Sequence, residues 1–321
     1  AGLGPTIRQW GSSGSCGVLW RIWEWRSAMS ISSSERLDPP ADFASLAAAL
    51  AWGAWVELGV SGWAASHREW AIDPEPLVVF TAGMTTQDPR LVDEATDWCI
   101  RNWRHLSKTR LRNLVRDEPQ QVRDEFGVFA ATVGDHAGIV WPDSTKPRRY
   151  SPTGRSTEPQ LDRSSMVWLR LRATFGLGAR AEILRYFLTR GPAPASAAMI
   201  ASFANYTKRN VAAECEALAQ AGLLRVSVVG NRHDYSLVKR SEVEALLGGI
   251  PDVLPNWTAI FHVARVLSEL ESQAAGSTDR TLAVKTRKAL DEIGPDLDQL
   301  EVGRPPSTVT GSALWPAAQA V

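Results

Sequence analysis

Along most of the chain, apolar residues recur at the three- and four-residue steps of an amphipathic helix; only one short stretch alternates. The helical pattern runs through Phe43, Leu46 and Leu50, through Leu91, Ala95, Trp98 and Cys99, and through Leu106, Leu111, Leu114 and Val115. IDPEPLVVFTA, from Ile72, adds a helix with proline near its first turn. The period resumes at Ile183, Leu184, Phe187 and Leu188, at Met199, Ile200 and Phe203, and at Val211, Cys215 and Leu218. After Pro255 it returns at Ile260, Val263, Leu267 and Leu270, and a further helix is expected over residues 281–293. LRVSVV and DYSLV, on either side of GNRH, alternate instead and predict a β-hairpin. The fold class that follows is mainly α.

At 321 residues the chain is longer than one typical domain, and its composition changes along its length. Residues 1–28 are rich in Gly, Ser and Trp, and their apolar run is broken by Arg21, Glu24 and Arg26. They fail as a signal peptide and are expected to be a non-native or disordered extension before a start at Met29. Residues 29–143 read as a helical domain whose first helix is capped by Asp42. Residues 144–165, STKPRRYSPTGRSTEPQLDRSS, have no apolar period and carry five cations against two anions, which predicts a basic flexible linker. Residues 166–250 hold the hairpin, and residues 251–321 form a C-terminal helical segment. No repeat of solenoid length is present.

Charge and cysteine usage narrow the classes. The 35 basic and 35 acidic residues cancel, so a nucleic-acid argument has to rest on local charge. Cys16, Cys99 and Cys215 are far apart and in no pair, which points to a reducing cytoplasm rather than a disulfide framework. FASLAAALAWGAWVELGVSGWAA, residues 43–65, is long enough for a bilayer, but Glu57 near its middle and its many small residues favour a helix in a protein core. No membrane partner is expected.

The chain lacks a phosphate loop, HExxH, GxSxG and a strand-linked GxGxxG, so no enzyme, cofactor or metal is expected. His67, His105, His136, His233 and His262 are isolated, and each reads as an ordinary surface or core histidine. Trp52, Trp55, Trp63, Trp70, Trp98, Trp103 and Trp141 could line a ligand pocket, although core packing is the simpler reading. Lys108, Arg110, Arg112 and Arg116 read as a solvated basic face, with phosphate contacts the second reading of the same cluster.

The richest signal lies in residues 177–247. ARAEILRYFL is a first helix, Ser196 caps a short second helix, Asn205 marks a turn, and Thr207 caps a third helix that stops at Gly222. With the hairpin behind it, this is the order of a winged helix-turn-helix, in which the third helix enters the major groove leading end first and the hairpin lies along the backbone. Lys208, Arg209 and Asn210 stand at that leading end, off the apolar stripe. Arginine can pair with guanine edges, asparagine with adenine, and lysine with phosphate. Thr207 belongs to the same end, and Arg232 and His233 at the wing would meet a second set of phosphates. Residues 166–250 carry eleven cations against six anions, an excess of five.

LRATFGLGARAEILRYFL, YTKRNVAAECEALAQAGLL and VSVVGNRHDYSLV together resemble the winged helix-turn-helix regulators of bacteria, in particular the ArsR-like and MarR-like groups. The resemblance covers about a quarter of the chain. It implies operator binding on double-stranded DNA by a homodimer, and hence a transcriptional regulator, a repressor in the simplest case. The metal-sensing box of ArsR-like proteins has no counterpart here, so metal sensing is not implied. Two other functions stay open: the DNA-binding antitoxin of a toxin pair, and a winged-helix scaffold that binds protein rather than DNA.

Overall fold

The apolar stripes pack as helices on helices. The computed structural model describes residues 42–62, 68–274, 276–304, 311–314 and 318, and these form a mainly helical protein with one small antiparallel sheet. The expected extension at residues 1–28 lies outside the described residues. No described helix is long and apolar enough to cross a membrane.

Helix α1 (Phe43–Leu58) starts where the Asp42 carboxylate accepts the Ser45 N–H at 2.7 Å, as the sequence predicts. It ends at Gly59, whose φ of +106° belongs to the left-handed region. A Cβ there would also meet Thr157 Oγ1 at 2.6 Å, so this glycine serves both the turn and a close approach. Helices α2 (Pro74–Ala82), α3 (Pro89–Asn102), α4 (Lys108–Arg116) and α5 (Gln120–Ala137) follow, α3 capped by Asp88 and α4 by Ser107. Leu91, Ala95, Trp98 and Cys99 all have no exposed surface, so the stripe read from the sequence is the buried face. Trp55, Trp70, Trp98 and Trp141 are core residues; the Trp55 and Trp98 indole N–H groups donate to Thr81 Oγ1 at 2.9 Å and to the Leu58 carbonyl at 2.8 Å.

Residues 144–165 contain no helix or strand until a short 3₁₀ turn at Ser164–Met166, but the flexible linker expected there is corrected to a strap. Asp97 accepts the backbone N–H groups of Thr153, Gly154 and Ser156, Tyr150 donates to the Asp93 carbonyl, and Thr157 N–H donates to the Gly59 carbonyl. The order of this segment therefore comes from partners more than fifty residues away, as in the Asp97–Gly154 bond. Glu57, the charge that interrupts the apolar run, accepts Ser165 Oγ–H at 2.7 Å and Arg163 Nη1–H at 3.3 Å.

Helix α6 (Val167–Phe175) leads into α7 (Ala179–Arg190), strand β1 (Ala195–Ser196), α8 (Ala197–Ala204), α9 (Lys208–Gln220), β2 (Leu224–Val229), β3 (Arg232–Leu237) and α10 (Arg240–Leu246). The sheet runs β1-β3-β2, with Ala195 opposite Tyr235 and Val226 opposite Tyr235 on the other side. Strand β1 lies where only a turn was expected. The hairpin turn is shorter than GNRH: Val229 pairs with Arg232, leaving Gly230 at φ +60° and Asn231 to reverse the chain. Ile183, Leu184, Phe187, Ile200, Val211, Cys215, Leu218 and Tyr235 share one core. Met199, expected inward, is 54% exposed. The inward face of α8 is Ala197, Ile200, Ala201 and Ala204, one helical row that leaves Met199 beside it.

Helix α11 (Trp257–Ala274) packs on α1 and α2, with the Phe80 and Phe261 rings stacked at 4.3 Å and Trp257 Nε1–H donating to the Ala71 carbonyl at 2.7 Å. It therefore joins the first helices in the unit spanning Pro40–Ala275, instead of standing apart in a terminal segment. The other unit contains α12 (Asp279–Gln299), longer than the expected 281–293, capped by Thr278 and packed against the short turn Gly311–Ala313.

Candidate functional site

The site expected from the sequence is built by α9. Thr207 has extended backbone and its hydroxyl accepts the Asn210 N–H at 3.3 Å, satisfying an end group that the helix itself leaves open. Val211, Cys215 and Leu218 turn inward and are buried, which fixes the helix phase and leaves Thr207, Lys208, Arg209 and Asn210 exposed. Among the described residues, no carboxylate pairs with Lys208 or Arg209.

The hairpin residues are placed differently. Arg232 Nη2 lies 2.8 Å from Asp234, and His233 Nδ1 lies 3.2 Å from Glu216, a residue of α9 itself. Tyr235 also donates to Glu216 at 2.7 Å. The Tyr235 and His233 hydrogen bonds hold the Glu216 carboxyl below its ordinary range. Glu216 is eight residues beyond Lys208, roughly 12 Å along the helix. The hairpin is thus anchored to the later turns of α9, while the leading end stays free.

Burial pushes the Cys215 thiol up to about 12, with Glu216 and Glu214 adding to it, so a neutral thiol lies under α9. No group of three metal-capable side chains occurs among the described residues.

An ionic cluster that no local sequence pattern announces lies behind the site. Asp73 at the start of α2 and Glu75 within it, Arg110 of α4, Arg172 of α6, and Glu182 and Arg185 of α7 are all buried and interlocked. Arg110 pairs with Asp73 and lies 2.7 Å from Glu75; Arg172 lies 2.8 Å from both Glu75 and Glu182; Arg185 lies 2.5 Å from Asp73 and 2.8 Å from Glu182. Three guanidiniums face three carboxylates, so the cluster is neutral. Burial alone would raise Asp73 and Glu182, but Arg110 and Arg185 around Asp73, and Arg185 and Arg172 around Glu182, pull both below their ordinary range. Burial, with Asp73 and Glu182 close by, raises Glu75 against the pull of Arg172 and Arg110.

The cluster reaches the turn before α9. Glu75 accepts the Ser107 N–H at 2.7 Å, and Ser107 Oγ is 2.7 Å from the Tyr206 hydroxyl, two residues before Lys208. Asn113 Nδ2–H donates to the carbonyl of Asn205, which holds the left-handed turn at φ +55°. Two corrections to the charge reading follow. Arg110 is core, not a solvated face, and Arg172 and Arg185 contribute no outward charge. Arg180 with Glu214 and Arg240 with Glu244 are also paired. In the structure α7 buries every residue from Ala181 to Leu188, Glu182 and Arg185 included.

Compared with protein families, with curated proteins and with solved structures, the chain matches none.

Proposed function

We propose that the protein is a DNA-binding transcriptional regulator whose winged helix-turn-helix consists of α7, α8, α9 and the β1-β3-β2 sheet. One observation carries the reading: a capped helix buries one face and offers Lys208, Arg209 and Asn210, exposed and without carboxylate partners, at its leading end. A helix so presented suits the major groove, with Arg209 toward a guanine edge, Asn210 toward adenine and Lys208 toward phosphate. The hairpin, anchored through Glu216, lies where a wing would meet the backbone, and Arg232 would exchange Asp234 for phosphate. Repression by a homodimer on a palindromic operator is the simplest form of the activity.

The test is fluorescence anisotropy of the full chain against duplexes selected from a random pool, over a salt series, beside Lys208→Ala/Arg209→Ala. Expected are affinity tighter than the nonspecific range of roughly 10⁻⁴ to 10⁻⁶ M and a loss of sequence preference in the double variant. Binding only in the nonspecific range, unchanged by the substitutions, would refute the reading and assign the domain to protein contacts.

A further inference from the structure

Helix α4 carries a charge pattern that its own stability does not require. Lys108, Arg112 and Arg116 recur every four residues on one exposed row, while Arg110, Leu111, Leu114 and Val115 face inward. Like charges at this spacing weaken a helix, and Lys108 stands at the end where the helix dipole disfavours a cation. The helix contains no acidic residue to offset them. Among the described residues, Lys108 and Arg112 pair with no carboxylate, and Arg116 has only the exposed neighbour Asp117 at 3.4 Å. Lys108 and Arg104 both lie over the Trp103 ring, at 5.5 and 4.8 Å, which adds a fourth cation to the patch.

The placement of this row matters more than its charge. Ser107 and Asn113 hold α4 against Tyr206 and Asn205, the turn that delivers α9, through two contacts of 2.7 Å. The exposed cations of α4 therefore stand on an element tied directly to the turn before Lys208 and Arg209. We infer that Lys108, Arg112 and Arg116 form a second line of phosphate contacts, extending the interface to the DNA backbone beside the segment read by α9. The inference rests on the DNA-binding reading proposed above. Ammonium and guanidinium groups on long side chains, with only Thr109 among them, suit a regular run of phosphates. An anionic membrane surface is the poorer match, because a helix lying in the lipid interface needs an exposed apolar face, and Leu111, Leu114 and Val115 are in the core.

The experiment compares Lys108→Ala/Arg112→Ala/Arg116→Ala with the wild type and with Lys208→Ala/Arg209→Ala, in the full chain. The probes are a selected duplex trimmed to its core, the same duplex extended by one helical turn, about 10 base pairs, on each side, and vesicles containing phosphatidylserine. The row variant is expected to bind the trimmed duplex as the wild type does and the extended one more weakly. Its salt slope should fall by about 2 to 3, near 0.9 per lost phosphate contact, with sequence preference kept. An unchanged slope on the extended duplex, while the α9 variant still loses preference, overturns the inference and leaves the DNA reading standing. Absence of wild-type DNA binding overturns both, and vesicle binding lost in the row variant with DNA binding unchanged assigns the row to lipid instead. Because all three side chains are exposed, the melting temperature should be unchanged or slightly raised, which separates these outcomes from misfolding.

Discussion

Replacing Arg172 by Met tests whether the buried cluster holds the Pro40–Ala275 unit together. Arg172 donates to Glu75 at 3.0 and 2.8 Å and to Glu182 at 2.9 and 2.8 Å, and its side chain is 4% exposed. Removing it leaves three carboxylates against Arg110 and Arg185, an uncompensated buried charge that costs about 3–5 kcal/mol. That is a large part of the 5–15 kcal/mol typical of a folded domain. For a unit of this size it corresponds to a melting point lower by about 6–20 °C. Removing both sides of the pair, in Arg172→Met/Glu182→Met, restores the balance of charge and should recover most of the loss. The cost should also depend on pH. Burial already raises Glu75, and losing Arg172 raises it further, so the variant's deficit shrinks as Glu75 takes up a proton at lower pH. The other two carboxylates of the wild type behave in the opposite sense. Asp73 and Glu182 are held below their ordinary values, so the stability they contribute is present at neutral pH and is lost as pH falls through their folded values. Urea unfolding followed by tryptophan fluorescence at pH 8 and pH 5 measures the first effect, and the same measurement carried on to about pH 3 reaches the window of the second. A loss below about 1 kcal/mol at pH 8, or a deficit that does not narrow at pH 5, would refute the reasoning.

Two further outcomes are expected. Thr207→Ala should cost about 1 kcal/mol in urea unfolding by removing the α9 cap, with Thr207→Ser close to the wild type; if α9 binds DNA, affinity falls while the salt slope stays the same. Asp97→Ala removes the acceptor for Thr153, Gly154 and Ser156, so brief trypsin digestion should cut the strap at the exposed Arg155 well before the wild type is cut.

What the sequence made legible was local. Helical phase placed Leu91, Ala95, Trp98 and Cys99 inside, and the short-range caps at Asp42, Ser196 and Thr207 followed from one residue and its neighbours three positions on. The same phase put Lys208, Arg209 and Asn210 outside, because each lies off the stripe of Val211, Cys215 and Leu218. What stayed hidden depended on distant partners. Nothing near Arg110 or Arg172 in the sequence distinguishes a core guanidinium from a surface one; the carboxylates that accept it come from α2 and α7. The strap has no apolar period, so its order was invisible without Asp97 and Gly59. Asp234, two residues from Arg232 in the same strand, was a hairpin partner within reach of sequence reasoning.

The location of the bound charge also determines what an arriving partner meets. Summed over residues 166–250, the excess of five cations suggests a broad positive field. Yet Arg172 and Arg185 are neutralised in the core, and Arg180, Arg232 and Arg240 each sit beside a carboxylate that cancels most of their charge beyond a Debye length, about 8 Å in physiological salt. Among the described residues, Lys208, Arg209, Lys108 and Arg112 pair with no carboxylate and lie on two elements joined through Ser107–Tyr206 and Asn113–Asn205, while the exposed Arg190, Arg225 and Lys239 stand on other elements. These ties, backed by the buried cluster through Glu75 and Ser107, fasten the start of α9 to α4. Cations on elements tied in this way keep a fixed spacing, and under the proposed DNA binding that is the condition for charge to select one register on a phosphate backbone as well as attract it.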